Sequence, residues 1–282
     1  MIPLAFDYEV AESVDHAIEL LGQHGDEAKL LAGGHSLLPI MKLRLAAPTV
    51  LIDLGRIGDL NYVRDDGDHL AIGAMTRHCD AERDPTLQEH CGLVSYTASL
   101  VGDPSVRHRG TIGGSISHGD AASDLPSALL ALDATFVVRG PNGERTVAAG
   151  DFFQDYLQTT LAPDEVLTEI RVPKLNGAGW SYKKFNRRAQ DWAVVGAAAV
   201  VERSNGSIGS ARIALTNMGS TPLRATAAES ALSGADPSSV AEATSSADEG
   251  TSPSSDIAAS AEYRRHLARV LSRRAVEEAL SR

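Results

Sequence analysis

Cysteine is nearly absent from this 282-residue chain, which holds only Cys79 and Cys91 and no Cys-x-x-Cys pair. An iron–sulfur cluster wants about four thiolates, and a structural zinc wants about four closely spaced Cys or His ligands. The chain alone supplies neither, and its two cysteines read as small apolar residues, not as a disulfide framework. Basic charge is also scarce: 26 Lys and Arg face 37 Asp and Glu, a net charge of −11. That balance argues against nucleic acid or an anionic membrane as the main partner. No apolar run approaches the ~20 residues of a membrane helix. The opening MIPLAFDYEV lacks the charged start and apolar stretch of a signal peptide, so a cytoplasmic protein is expected. Also missing are Gly-x-Gly-x-x-Gly and the phosphate loop Gly-x-x-x-x-Gly-Lys-Ser/Thr, so ordinary NAD-type and P-loop readings lose support.

What is present is a succession of short elements. Val14, Ala17, Ile18 and Leu21 share a helical face behind Ser13, a natural N-cap. Strands are expected at Lys29–Ala32, Val50–Leu54, His69–Gly73, Thr135–Val138, Val166–Pro173 and Ala211–Thr216. Helices are expected near Leu37–Arg44, starting around Pro39, and at Glu89–Val101 and Leu125–Leu132. Pro141-Asn142-Gly143 reads as a hairpin turn. The texture changes near Leu175–Gly179, so domains of 1–176 (subdomains of about 1–55 and 56–176) and 177–282 are expected. The stretch Glu229–Ser260 is dominated by Ala and Ser, and Ser245–Ser255 is expected to be a flexible loop. The tail Ala261–Arg282 reads as an amphipathic helix with Leu267, Val270, Leu271 and Leu280 at helical spacing. The fold class this order suggests is α+β, with α/β as the alternative.

Two glycine loops carry the chemical signal: Ala32-Gly33-Gly34-His35-Ser36 and Thr111-Ile112-Gly113-Gly114-Ser115. Paired glycines let backbone N–H groups converge with no Cβ in the way. Such nests hold oxyanions, and Ser36, Thr111 and Ser115 add hydroxyls. Two of them gripping one pyrophosphate would neutralise a dinucleotide without lysine. Each pair taken singly also fits a plain turn.

The wider context is more specific. The run Ala32 to Ala46, AGGHSLLPIMKLRLA, resembles the first FAD loop of the flavoprotein subunits of molybdenum hydroxylases. Arg107 to Ser115 and His118 to Pro126 resemble the second. The likeness continues through Lys184 to Arg188, Asp191-Trp192-Ala193 and Leu215-Thr216-Asn217, and spans nearly the whole chain. Within that family it is greatest to the carbon monoxide dehydrogenase type. Nicotine, quinoline and xanthine hydroxylases share most of the motifs.

The resemblance implies a PCMH/VAO-type FAD-binding fold in two subdomains, followed by a smaller α+β C-terminal domain. It implies that Ala32, Gly33, Gly34, His35, Ser36, Thr111, Ile112, Gly113, Gly114 and Ser115 bind the FAD pyrophosphate. Asp124 falls near the adenosine half, Val101 and Leu167 line the cleft, and Lys184 and Trp192 approach the isoalloxazine. Read without the family, Asp124 fits a helix cap, Lys184 a solvated charge cluster with Lys183, Arg187 and Arg188, and Trp192 an ordinary core residue. Family members also imply non-covalent FAD, although His35 occupies a position at which related oxidases attach it covalently. No residue of this chain is expected to be catalytic, and no metal is expected in it. The molybdopterin cofactor and [2Fe–2S] clusters are expected in a large and a small partner subunit, in a dimer of heterotrimers delivering electrons to a quinone at the inner face of the membrane. The alternatives are the same subunit of an N-heterocycle hydroxylase of nicotine, quinoline or xanthine type, and a flavin-binding assembly module without turnover.

Overall fold

The computed structural model describes residues 2–282. Met1, with which the expected first domain begins, lies outside them. The chain opens with β1 (Asp7–Val10), α1 (Val14–His24), β2 (Ala28–Leu31), α2 (Leu37–Lys42) and β3 (Val50–Asp53). Helix α1 starts where the Ser13 side chain accepts from the His16 N–H, and it stops at Gly25, whose φ is +56°. Its Val14, Ala17, Leu20 and Leu21 are buried. They join Val50, Ile52 and Leu54 in one core cluster. Both β1 and β2 pair in parallel with β3 in the order β1-β3-β2. Helix α2 begins two residues before Pro39.

A second unit holds β4 (Val63–Asp65), β5 (His69–Gly73), the helices α3 (His78–Arg83), α4 (Pro85–His90), α5 (Gly92–Ser99), α6 (Pro104–Arg109), α7 (Ile112–His118) and α8 (Asp124–Ala131), then β6 (Thr135–Gly140) and β7 (Gly143–Ala148). It closes with α9 (Ala149–Phe152), β8 (Phe153–Asp155), β9 (Gln158–Thr159) and β10 (Val166–Pro173). Its five-stranded antiparallel sheet runs β4-β5-β10-β6-β7. The expected turn joins β6 to β7, with Gly143 at φ +105°. The single helix expected over Glu89–Val101 is instead α4 and α5, broken at Cys91, whose backbone (φ −149°, ψ 56°) is not helical. The buried Cys91 enters the main core beside Leu87 and Leu93 there. Burial at this break outweighs helix continuity.

The third unit is an antiparallel sheet of β11 (Gly179–Phe185), β12 (Val195–Ser204), β13 (Ser207–Thr216) and β14 (Leu223–Arg224), covered by α10 (Thr226–Leu232), α11 (Val240–Ala243) and α12 (Ala261–Ser281). Helix α12 is the expected amphipathic tail, and it buries Leu267, Ala268, Leu271, Ala275 and Val276. The segment Ser245–Ser255 is largely turns and irregular backbone, as a loop should be, but contrary to expectation it enters the core. Ala247 is fully buried in this unit's core. Arg269 donates to Asp248 at 2.9 Å, and Ser252 N–H to the Met218 carbonyl at 2.9 Å. Alanine is small enough to pack there despite the segment's polar composition.

Gly22 lies inside α1 with nothing within 4 Å of an added Cβ. Gly22→Ala is expected to raise stability by about 0.5–1 kcal/mol in urea melts, because glycine has more backbone entropy to lose.

Candidate functional site

The loop between β2 and α2 carries the first glycine motif. Gly34 there has φ +75°, the left-handed region. Gly33 is held against the α6–α7 junction: an added Cβ would overlap the Arg109 carbonyl oxygen and lie 2.7 Å from the Gly110 Cα. A Cβ on Gly114 would sit 3.5 Å from that of Ala32. The two motifs, about eighty residues apart in sequence, therefore touch. Between them opens a cavity of about 870 Å³, within the range of ligand sites of roughly 300–1,000 Å³.

Their roles differ. The N–H groups of Gly33, Gly34, His35 and Ser36 find no acceptor among the described residues, so they remain available to an anion. The second motif is not a loop but the start of α7. Thr111 caps it by accepting from the Gly114 N–H at 3.1 Å. The Ile112, Gly113 and Ser115 N–H groups donate to the carbonyls of Thr76, Ala74 and Thr111. A Cβ on Gly113 would stand 2.6 Å from the Ala74 oxygen, so this glycine permits the close approach of α7 to the end of β5. The second motif reaches the cavity through Thr111, Gly113, Gly114 and Ser115, with Thr111 and Ser115 bringing hydroxyls. Ile112 is the exception among the expected residues: it is fully buried in the main core and does not line the cavity.

Asp124 opens α8, but Ser123 is the N-cap position and the Asp124 side chain has other work. Its Oδ2 accepts from Lys184 Nζ at 2.7 Å and its Oδ1 from the Tyr182 hydroxyl at 2.8 Å. Lys184 also donates to the Leu100 carbonyl at 2.9 Å. The Asp124 and Lys184 side chains are 5% and 6% exposed, so Lys184 is no surface charge. Its ammonium keeps one further N–H for the cavity. Burial raises the Asp124 carboxyl above its usual range, opposed by Lys184 and the Tyr182 hydrogen bond. The Tyr182 phenol is pushed up further by its own burial and by the Asp124 charge. Tyr182 escaped the sequence reading, yet it lies two residues from Lys184 on β11, on the same face of the strand.

Val101, Leu167 and Trp192 line the same cavity. Leu167 is buried, whereas Trp192 is 63% exposed and not a core residue. The His35 ring, also exposed, places Nδ1 at 3.0 Å from the Gly33 carbonyl. Sequence reasoning also missed His78, which lines the cavity while its Nδ1 is buried with no partner.

Burial, with Arg107 and His35 adding to it, lowers the His78 imidazole to about 4. Between pH 6.5 and that value the unfolded chain binds a proton that the folded chain refuses. Stability is therefore lost as pH falls through this window, by about 3 kcal/mol in all. Urea melts at pH 7 and near pH 4 measure the loss, and His78→Gln is expected to remove that share of it.

A family model described as the FAD binding domain in molybdopterin dehydrogenase matches residues 4–175. A second, the CO dehydrogenase flavoprotein C-terminal domain, matches residues 180–279. The chain is 44% identical to the carbon monoxide dehydrogenase medium chain of Hydrogenophaga pseudoflava, covering 100% of this chain and 99% of that one. The solved carbon monoxide dehydrogenase of the same organism, in a form lacking the Mo-pyranopterin moiety, superposes with a TM-score of 0.97 at 46% identity, covering 100% of this chain and 99% of the other. Quinoline 2-oxidoreductase from Pseudomonas putida 86 superposes with a TM-score of 0.94 at 33% identity, covering 100% and 99%. The chain thus belongs to the molybdopterin dehydrogenase FAD-binding family, and within it to the flavoproteins that carry the CO dehydrogenase-type C-terminal domain.

Proposed function

We propose that this chain is the medium subunit of a molybdenum-containing carbon monoxide dehydrogenase, an oxidoreductase subunit that relays electrons from partner [2Fe–2S] clusters through non-covalent FAD to an external acceptor, a quinone. The contact between the two glycine motifs at one cavity carries this reading, and the full-length likeness to a medium chain supports it. FAD, when bound, accepts electrons from one partner and passes them to another. On this reading the amides of Gly33 to Ser36 receive the diphosphate, with Ala32 beside them and the Thr111 and Ser115 hydroxyls opposite. Gly113 and Gly114 supply the close packing, and Ile112 anchors α7 from the core. Val101 and Leu167 form apolar wall, Asp124 and Lys184 a neutral buried pair, and Trp192 the exposed aromatic at the isoalloxazine. The orphaned His78 Nδ1 and the four open amides are the features that fit a bound polar ligand.

The same reading divides the chain into 1–176 for FAD, with subdomains of about 1–55 and 56–176, and 177–282. It gives the chain an iron–sulfur small subunit and a molybdenum-binding large subunit as partners, in a dimer of heterotrimers. No helix among the described residues is long and apolar enough to cross a membrane. A cytoplasmic complex at the inner membrane face accords with that.

Adding CO anaerobically to the purified complex is the test. Bleaching of the flavin band is expected with CO and not with nicotine, quinoline or xanthine. Bleaching by one of those heterocycles instead would move the substrate assignment. A flavin-free complex would leave only an assembly module. His35 Nδ1 faces a carbonyl, and acid precipitation is expected to leave the flavin in the supernatant. Yellow pellet would contradict non-covalent binding.

A further inference from the structure

Trp192 lies on the connection from β11 to β12, and no ring packs against its indole among the described residues. With 63% of it exposed, its direction is set in large part by the backbone that carries it. The carbonyls of Ala193 and Val194, both on buried residues, are each claimed by a side chain from elsewhere. Asn217 Nδ2 donates to the Ala193 carbonyl at 2.8 Å. Arg264, itself only 2% exposed, donates through Nη1 to the Val194 carbonyl and through Nη2 to Asp256 at 2.7 Å. Asn217 does more than accept a place in a turn. Its backbone N–H donates to the Ala121 carbonyl at 2.8 Å, in the segment that leads into Asp124. Its φ of +62° is one that asparagine tolerates better than most residues. One residue thus ties the Trp192 connection to the wall that carries Asp124.

We propose that Asn217, supported by Arg264, is a positioning residue that sets the pitch of Trp192 over the flavin cavity. This rests on the flavin reading above. Buried carbonyls that lose their donors move toward water or a new donor, and Trp192 would move with them.

Asn217→Gly tests the effect, because glycine accepts the left-handed backbone while the side-chain amide is lost. It is made in the assembled complex, alone and together with Trp192→Ala. FAD affinity is read by flavin fluorescence, and flavin geometry by the circular dichroism of the visible band. Asn217→Gly is expected to weaken FAD about tenfold and to change the dichroic band when Trp192 is present. With Trp192→Ala in place, the same change is expected to cost less than about twofold. Equal losses in both backgrounds would overturn the proposal. Asn217→Asp, which keeps the backbone preference but turns a carboxylate toward the Ala193 carbonyl, runs the same cycle should the glycine variant not fold. Absence of flavin from the unmodified complex overturns the proposed function and this inference together. Flavin present with equal losses overturns the inference alone.

Discussion

Gly33→Ala is expected to cost the protein its flavin, lowering FAD affinity on the order of 10- to 100-fold. A methyl at this position overlaps the Arg109 carbonyl oxygen and crowds the Gly110 Cα. Both obstacles are backbone, so neither can rotate away. The β2–α2 loop must then lift off the α6–α7 junction, and its open amides lose their aim. Overpacking of this kind costs about 1–3 kcal/mol, which gives the stated range at 1.4 kcal/mol per tenfold. Gly34→Ala is the informative contrast. It carries the strain of φ +75°, yet its nearest neighbours would be side-chain atoms of Leu31 and Leu38 at 3.1–3.4 Å, not backbone. A smaller loss is expected from it. Flavin stoichiometry and titration of the stripped protein measure both, and full flavin retention in Gly33→Ala would contradict the close-approach argument.

The second large effect belongs to the buried pair. Lys184→Met leaves the Asp124 carboxylate with the Tyr182 hydroxyl but no counter-charge at 5% exposure. Breaking such a pair from one side costs about 3–5 kcal/mol. Asp124→Asn is expected to cost a similar amount, since it leaves the buried ammonium with neutral acceptors and no counter-charge. The double variant Asp124→Asn/Lys184→Met removes both charges and is expected to be more stable than the sum of the single losses implies. The pair bridges α8 and β11, so its loss also loosens the contact between the second and third units. Urea unfolding of the three variants decides it. Single losses below about 1 kcal/mol would mean that the pair is screened as a surface bridge is.

The features that could be read from the sequence were those with a local cause. Glycine pairs beside apolar runs marked the two motifs, and Ser13 with its apolar face marked α1. The full-length likeness located Asp124, Lys184 and Trp192, and the cavity wall holds all three. What escaped depends on distant partners. Nothing near Ile112 to Ser115 says that Ala74 and Thr76, some forty residues earlier, claim two of their amides. Lys184 looked like one of a charged cluster. Its burial comes from Leu100 and Asp124, and neighbouring Lys183 is spent instead on Glu278. The break at Cys91 and the packing of Ala247 were likewise decided by cores that form only on folding.

Amide hydrogen exchange of the complex with and without FAD tests the shared diphosphate site most directly. Loading FAD is expected to slow exchange sharply at Gly33 to Ser36 and to change little at Ile112 to Ser115, whose amides are already bonded within the chain. Unchanged exchange at Gly33 to Ser36 on flavin loading, or protection confined to a surface away from this cavity, would contradict it.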